Sequence, residues 1–273
     1  MTVTIDTTGA SSIPTTLTIV KAVDGFFAFN TPIENDATTP QPLFKRFKMV
    51  PASWSEFQQK LAQLEKEKQP DEQVKVVYFL RHAEGTHNEA HSKYGSPRWE
   101  NEFARTETFL DAPLTAFGVK DAQSKGPPSV QMEMDLGMPS IEMVVVSPIS
   151  RAIQTVQNFF TEEQSCRETF DCHTCNKRRP LSELKRRFPD VDFSRMKDED
   201  DQLWSPTHRE TTEEIQKRAL GFLIELFREV PERYVVVAAH LSIIEAIYAV
   251  TLGTQVRPSN CEVVPIVLEA LSN

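Results

Sequence analysis

Arg81 and His82 stand side by side directly after the apolar run Val76-Val77-Tyr78-Phe79-Leu80. A continuous apolar run of this length reads as a strand buried on both faces. The arrangement occurs twice more. Glu142-Met143-Val144-Val145-Val146 runs into Ser147-Pro148, with Arg151 in the next turn, and Tyr234-Val235-Val236-Val237-Ala238-Ala239 ends on His240. Arginine offers a rigid fork of donors that matches phosphate oxygens. Histidine is a nucleophile or proton carrier near neutral pH. Two arginines and two histidines brought to one place make a site for an oxyanion.

The elements that carry these residues decide whether they meet. The chain reads as strand (74–80), long loop (83–112), helix (116–125), strand (141–146), helix (149–160), loop (161–210), helix (212–229), strand (234–239), helix (242–252) and final strand (262–268). Such alternation predicts an α/β fold: a doubly wound, mainly parallel sheet with helices on both faces. In open sheets of this kind, ligands bind just beyond the carboxyl ends of the strands. Arg81, His82, Arg151 and His240 all fall there. The two long loops are expected to lie over the site and set the substrate range.

Upstream, residues 1–18 are rich in Thr and Ser and read as a loose tail rather than a secretory signal. Residues 19–70 read as an extension packed on the catalytic domain, which spans 71–273. Val23–Phe29 reads as a strand or a packing arm. Ser53 and Glu56 form a capping-box pattern, and Trp54, Phe57, Leu61 and Leu64 recur behind it at helical spacing. That helix reads as laid on the sheet, with partner binding as the alternative. Thr211 and Glu214 repeat the capping pattern.

Arg81-His82-Ala83-Glu84-Gly85-Thr86-His87-Asn88 resembles the signature of the histidine phosphatase superfamily, which contains phosphoglycerate mutases and many phosphomonoesterases. Ser147 to Thr155 resembles its second motif and Ala239-His240-Leu241-Ser242 its third. Asp111-Ala112-Pro113-Leu114-Thr115, Phe188 to Ser194 and Arg209-Glu210 resemble the eukaryotic branch that carries Gly-x-His-Asn after the Arg-His pair. The resemblance covers the chain from Val74 onward.

The resemblance implies a two-step reaction through a phosphohistidine on His82. Arg81, Arg151 and His240 would hold the phosphoryl oxygens, and Asn88 would contact the phosphate or its leaving group. It also implies a carboxylic acid that protonates the leaving oxygen. By motif matching this is Glu168, with Glu183 in Leu181-Ser182-Glu183 as the alternative. No cofactor or metal is implied. Leu241 departs from the pattern, which has a small residue there, and could narrow the pocket. Ala238-Ala239 replaces the usual valine and hydroxyl residue.

Composition is that of an ordinary globular chain: 273 residues, 40% hydrophobic and 25% charged, with formal net charge -9. That balance argues against nucleic-acid binding, which shows a basic footprint. No apolar segment approaches the roughly 20 residues that span a bilayer. The expected partner is a small phosphorylated substrate. The four cysteines, Cys166, Cys172, Cys175 and Cys261, read as reduced thiols of a cytoplasmic or also nuclear protein. Cys172-His173-Thr174-Cys175 with Cys166 leaves a zinc or redox reading open. Arg178-Arg179 and Lys185-Arg186-Arg187 read as solvated surface, or as an extension of the phosphate pocket toward a polyanion. His87 and His91 read as loop residues, with His87 near the pocket. Three functions stand: phosphomonoesterase, phosphoglycerate mutase-type phosphotransferase, and a phosphate-ligand binding protein without turnover.

Overall fold

A computed structural model describes residues 19–29, 41–69, 72–160 and 173–271. In chain order the elements are β1 (Ile19–Ala22), β2 (Phe27–Phe29), β3 (Phe47–Met49), α1 (Trp54–Lys66), β4 (Gln73–Arg81), α2 (Thr86–Arg98), α3 (Ala116–Asp135), β5 (Met143–Val146), α4 (Ser150–Phe159), α5 (Leu181–Arg187), α6 (Thr212–Glu229), β6 (Tyr234–Ala239), α7 (Leu241–Leu252) and β7 (Val263–Leu271). The main sheet has the order β1-β7-β4-β6-β5. β4, β6 and β5 are mutually parallel. β7 runs antiparallel to both β4 and β1, so four of the five strands point the same way and β7 alone is reversed. This is the doubly wound, mostly parallel sheet expected, with one reversed strand, β7, between β1 and β4.

Alternation along the strands divides the core in two. Side chains at successive positions of a strand point to opposite faces. Val76, Tyr78 and Leu80 of β4 pack with Trp54, Phe57 and Leu61 of α1 and with Ile153 and Val156 of α4. Val77 and Phe79 pack on the other face, against Phe222, Leu223 and Leu226 of α6 and Ile244, Ile247 and Tyr248 of α7. β4 therefore has no face to water, which is why it reads as an unbroken apolar run. The helix starts are set by their caps. Ser53 Oγ accepts from Glu56 N at 3.2 Å and Glu56 Oε2 accepts from Ala52 N at 3.0 Å. Thr211 and Glu214 make the reciprocal pair, at 3.2 and 2.8 Å.

The residues upstream of β4 take part in the same sheet and core. β1 is its edge strand, and β2 pairs with β3 as a separate antiparallel ribbon. Val23–Phe29 thus becomes a turn leading into β2. Residues 1–18 lie outside the described residues.

Three expectations for the loops and helices are corrected. The 83–112 stretch contains α2, a π-helical turn at Trp99–Phe103 and a 3-10 turn at Glu107–Phe109. α2 buries only Ala90 and contains Gly95, at φ 76°, and Pro97. It carries no apolar stripe and two helix breakers, so periodicity could not reveal it. α3 runs ten residues beyond its expected end at 125, through Pro127 and Pro128. Gly126 explains why: a Cβ there would meet the Phe159 backbone, so a close α3–α4 crossing overrides the local breakers. The 161–210 stretch holds a 3-10 turn at Thr174–Asn176 and the short α5.

Candidate active site

The parallel register brings the three strand ends level. Arg81 pairs with Ala239 and Val146 with Ala238. The next backbone bonds continue the ladder: His82 N donates to Ala239 O at 3.0 Å and Ser147 N to Ala238 O at 2.9 Å. His240 comes directly after Ala239. The His82 and His240 rings consequently lie 4.9 Å apart, centroid to centroid. Both are buried.

His82 has a defined tautomer. Its Nδ1 lies 2.6 Å from the Ala83 carbonyl, which can only accept, so Nδ1 carries the proton and donates. That leaves the lone pair on Nε2, where Arg151 Nε donates at 3.2 Å. The backbone around His82 is pinned as well. Ala83 N donates to Thr155 Oγ1 at 2.9 Å and Asn260 Nδ2 donates to His82 O at 2.9 Å. Burial pushes the His82 imidazole well below the usual histidine range, and the charges of Arg151, His240 and Arg81 push it the same way. The ring is held neutral with its lone pair toward the cationic groups.

Arg151 is 1% exposed although it is an arginine. Its guanidinium is held at every nitrogen: besides the Nε contact, Nη1 donates to Cys175 O at 2.6 Å and Nη2 to Asn176 Oδ1 at 2.9 Å. Asp111 sets the helix that carries it. Asp111 Oδ1 accepts from Ser150 N at 2.7 Å and Oδ2 from Ser150 Oγ at 2.5 Å, capping α4 one residue before Arg151. Burial pushes the Asp111 carboxyl up to about 6, against the downward pull of those Ser150 bonds. His240 Nε2 lies 2.7 Å from Ser147 Oγ. Arg81 Nη1 donates to Pro258 O at 2.8 Å.

Arg81, His82, His87, Asn88 and Arg151 line a cleft of about 190 Å³, and His240 lies behind it, against the His82 ring. Asn88 Oδ1 accepts from Gly85 N at 3.0 Å, which closes the first turn of α2. Leu241 lines the cleft too, at the start of α7. Glu168 lies outside the described residues, as do Cys166 and Cys172 of the zinc or redox reading. Glu183 is not among the cleft residues, and Arg179 Nη1 and Arg187 Nε donate to its Oε1 at 3.1 and 2.9 Å. Arg178 is buried and donates to the carbonyls of Asp198, Glu199 and Asp200. It ties down the acidic loop and does not face the cleft. Lys185, Arg186 and Arg187 are exposed on α5 and line no described part of the cleft. A larger hollow, about 1050 Å³, opens at the opposite strand ends, where Lys75 Nζ donates to the Val230 and Glu232 carbonyls.

Asp111, Asn176 and His87, in or beside this site, carry no assigned role in the sequence. Asp111 stands in a stretch matched to the family only as a motif. Asn176 stands in Cys175-Asn176-Lys177-Arg178, a stretch that resembles a Cys-Asp-x-Arg-like segment of the family and serves there only to place the acid upstream of it. His87 reads as a loop residue, yet it occupies the first turn of α2 with its ring 5.7 Å from that of His82.

The depressed His82 pKa has a consequence for stability. A histidine whose folded pKa lies below its unfolded value binds fewer protons when folded, so its contribution is full above about pH 6.5 and is lost as pH falls below that. His82 should add up to about 1.4 kcal/mol of lost stability per pH unit in that window. Urea unfolding of the wild type and His82→Asn between pH 7.5 and 5.5 checks this: the wild-type stability should fall more steeply. Parallel curves would show that His82 is not held neutral by the fold.

The family model for the histidine phosphatase superfamily (branch 1) matches residues 77–264, and the chain belongs to that superfamily. Among curated relatives, a phosphoglycerate mutase-like protein of Arabidopsis thaliana is 28% identical over 193 residues, covering 56% of this chain and 66% of its own length, just under two thirds. A probable phosphoglycerate mutase of Arthroderma benhamiae is 24% identical over 266 residues, covering 90% of this chain and 77% of its own. Among solved structures, a mycobacterial glucosyl-3-phosphoglycerate phosphatase is 17% identical with a TM-score of 0.40, covering 71% of this chain and 91% of that one. The ecdysone phosphate phosphatase of Bombix mori is 14% identical with a TM-score of 0.46, covering 70% and 88%. No helix of the described residues is long and apolar enough to cross a membrane.

Proposed function

We propose that this chain is a metal-independent phosphomonoesterase that works through a phosphohistidine on His82 and acts on a small phosphorylated metabolite. One observation carries the reading. A buried, neutral imidazole has its Nε2 lone pair directed at Arg151, beside His240 and Arg81. An arginine so placed gains little from one imidazole nitrogen, but a phosphoryl group between the two would engage both.

In the first step His82 Nε2 forms a bond to phosphorus as the bond to the leaving oxygen breaks. The guanidinium forks of Arg81 and Arg151, with His240, stabilise the charge spread over the three equatorial oxygens. Asn88 contacts the phosphate or the leaving group. The leaving oxygen takes a proton from a carboxylic acid, a role assigned to Glu168 on the family resemblance. In the second step the same carboxylate takes a proton from water as its oxygen attacks phosphorus. The N–P bond breaks, inorganic phosphate leaves and His82 is restored. The buried thiol of Cys261 fits a reducing compartment such as the cytoplasm.

The names of the curated relatives favour a second reading, a mutase that returns the phosphate to another hydroxyl of its substrate. One assay separates the two. The wild type should release inorganic phosphate from p-nitrophenyl phosphate in the presence of EDTA, because no step requires a metal. Strong loss of turnover in EDTA would overturn the metal-independent mechanism. Conversion of 3-phosphoglycerate to 2-phosphoglycerate faster than phosphate release would overturn the hydrolase in favour of the mutase.

A further inference from the structure

His87 is not part of the mechanism above, yet it stands inside the site. It lines the cleft, and its ring centroid is 5.7 Å from that of His82. The groups that act on His82, which are Arg151, His240 and Arg81, also act on His87, and so does His82 itself. Gly85 makes room for it. A Cβ on Gly85 would lie 2.8 Å from His87 Nδ1 and 3.2 Å from Arg151 Cδ, so the ring and the arginine stem both rest on a residue without a side chain.

The ring has unspent hydrogen-bonding capacity. Its Nδ1 is buried and has no hydrogen-bond partner. A sealed N–H without an acceptor is the costlier orphan, and an unmet lone pair the more tolerable one. The proton therefore belongs on Nε2, as a donor available to a ligand in the cleft. Burial, first, and the surrounding cationic groups keep the imidazole neutral. A neutral imidazole N–H is too weak an acid to protonate a departing alkoxide, but it is a competent hydrogen-bond donor. In a site already crowded with positive charge, it adds a donor without adding another charge to be desolvated.

We propose that His87 is a further catalytic residue, whose Nε2–H donates a hydrogen bond to a phosphoryl oxygen as His82 attacks. The proposal rests on the phosphotransfer reading and adds a fifth group to its phosphate cradle. Steady-state kinetics on p-nitrophenyl phosphate test it with two variants. His87→Phe keeps a ring against Gly85 and Arg151 but has no donor, while His87→Gln restores an N–H. Loss of one preorganised donor should lower kcat by about 10²-fold in His87→Phe with KM nearly unchanged, and His87→Gln should recover part of that loss. A folded His87→Phe with wild-type kcat overturns the proposal, and so does a His87→Gln no better than His87→Phe.

Alkaline-quench trapping of the wild-type phosphoenzyme keeps the two claims apart. Wild type without phosphohistidine sinks the underlying reading. Wild type with it, alongside an indifferent His87→Phe, sinks this proposal alone. If His87→Phe does not fold, ¹⁵N NMR of the wild-type ring decides. A proton on Nε2 and a shift on saturation with orthovanadate support the donor; a proton on Nδ1, or no shift, overturns it.

Discussion

His82→Ala is expected to lose at least about 10⁴-fold in kcat on p-nitrophenyl phosphate, a loss of the size seen when a nucleophile is removed. No neighbour can take over. His240 Nε2 is engaged with Ser147 Oγ, 2.7 Å away. His87 is neutral with its Nδ1 sealed in the protein. The protein itself should survive the change. The His82 ring makes one local hydrogen bond, to the neighbouring Ala83 carbonyl, besides the one from Arg151, and the backbone bonds to Ala239 and Asn260 do not need the ring. Thermal unfolding should therefore remain cooperative while turnover disappears. Equal turnover in wild type and variant would remove His82 as the nucleophile.

Arg151→Lys should be the next most damaging change, because lysine keeps the charge and loses the fork. Three separate acceptors are met by three guanidinium nitrogens: His82 Nε2, Cys175 O and Asn176 Oδ1. A lysine ammonium is one point charge and cannot span them. We expect kcat to fall by about 10²- to 10³-fold, as when a preorganised oxyanion donor is lost. The buried Cys175 carbonyl would also lose its donor, at a cost of about 1–3 kcal/mol in stability. Kinetics and urea unfolding measured together separate the two effects. A kcat within a few-fold of wild type would show that charge alone, and not the bidentate geometry, serves the phosphate.

Much of this site is legible in the amino-acid sequence because it hangs on strands with no exposed face. β4, β5 and β6 are buried along nearly their whole length, so the sequence carries three unbroken apolar runs. The residues just past each run must lie at the sheet's carboxyl edge. Only the register of the strands has to be supplied by the fold, and it aligns Arg81, Ser147 and His240 within one ladder step.

The features that stay hidden in the sequence have physical causes. α2 packs almost nothing into the core, so no periodicity marks it, and His87 therefore resembles part of a loop. Gly126, Pro127 and Pro128 break helices locally, while the close contact with Phe159 that carries α3 past them is tertiary. Asp111 holds a left-handed backbone at φ 49°, with its N–H bonded to Thr174 O and its carboxylate on Ser150. No spacing rule connects those three positions. The reversal of β7 is likewise set by pairing and not by its apolar content.

The central claim is covalent, and one measurement addresses it directly. The wild type is mixed with a ³²P-labelled phosphomonoester, quenched within the first turnover in alkali and digested, and the labelled peptide is sequenced by mass spectrometry. The account predicts a base-stable, acid-labile phosphoramidate on His82, present in the wild type and missing from His82→Ala. Label on another residue, or turnover with no labelled protein at any quench time, would contradict it.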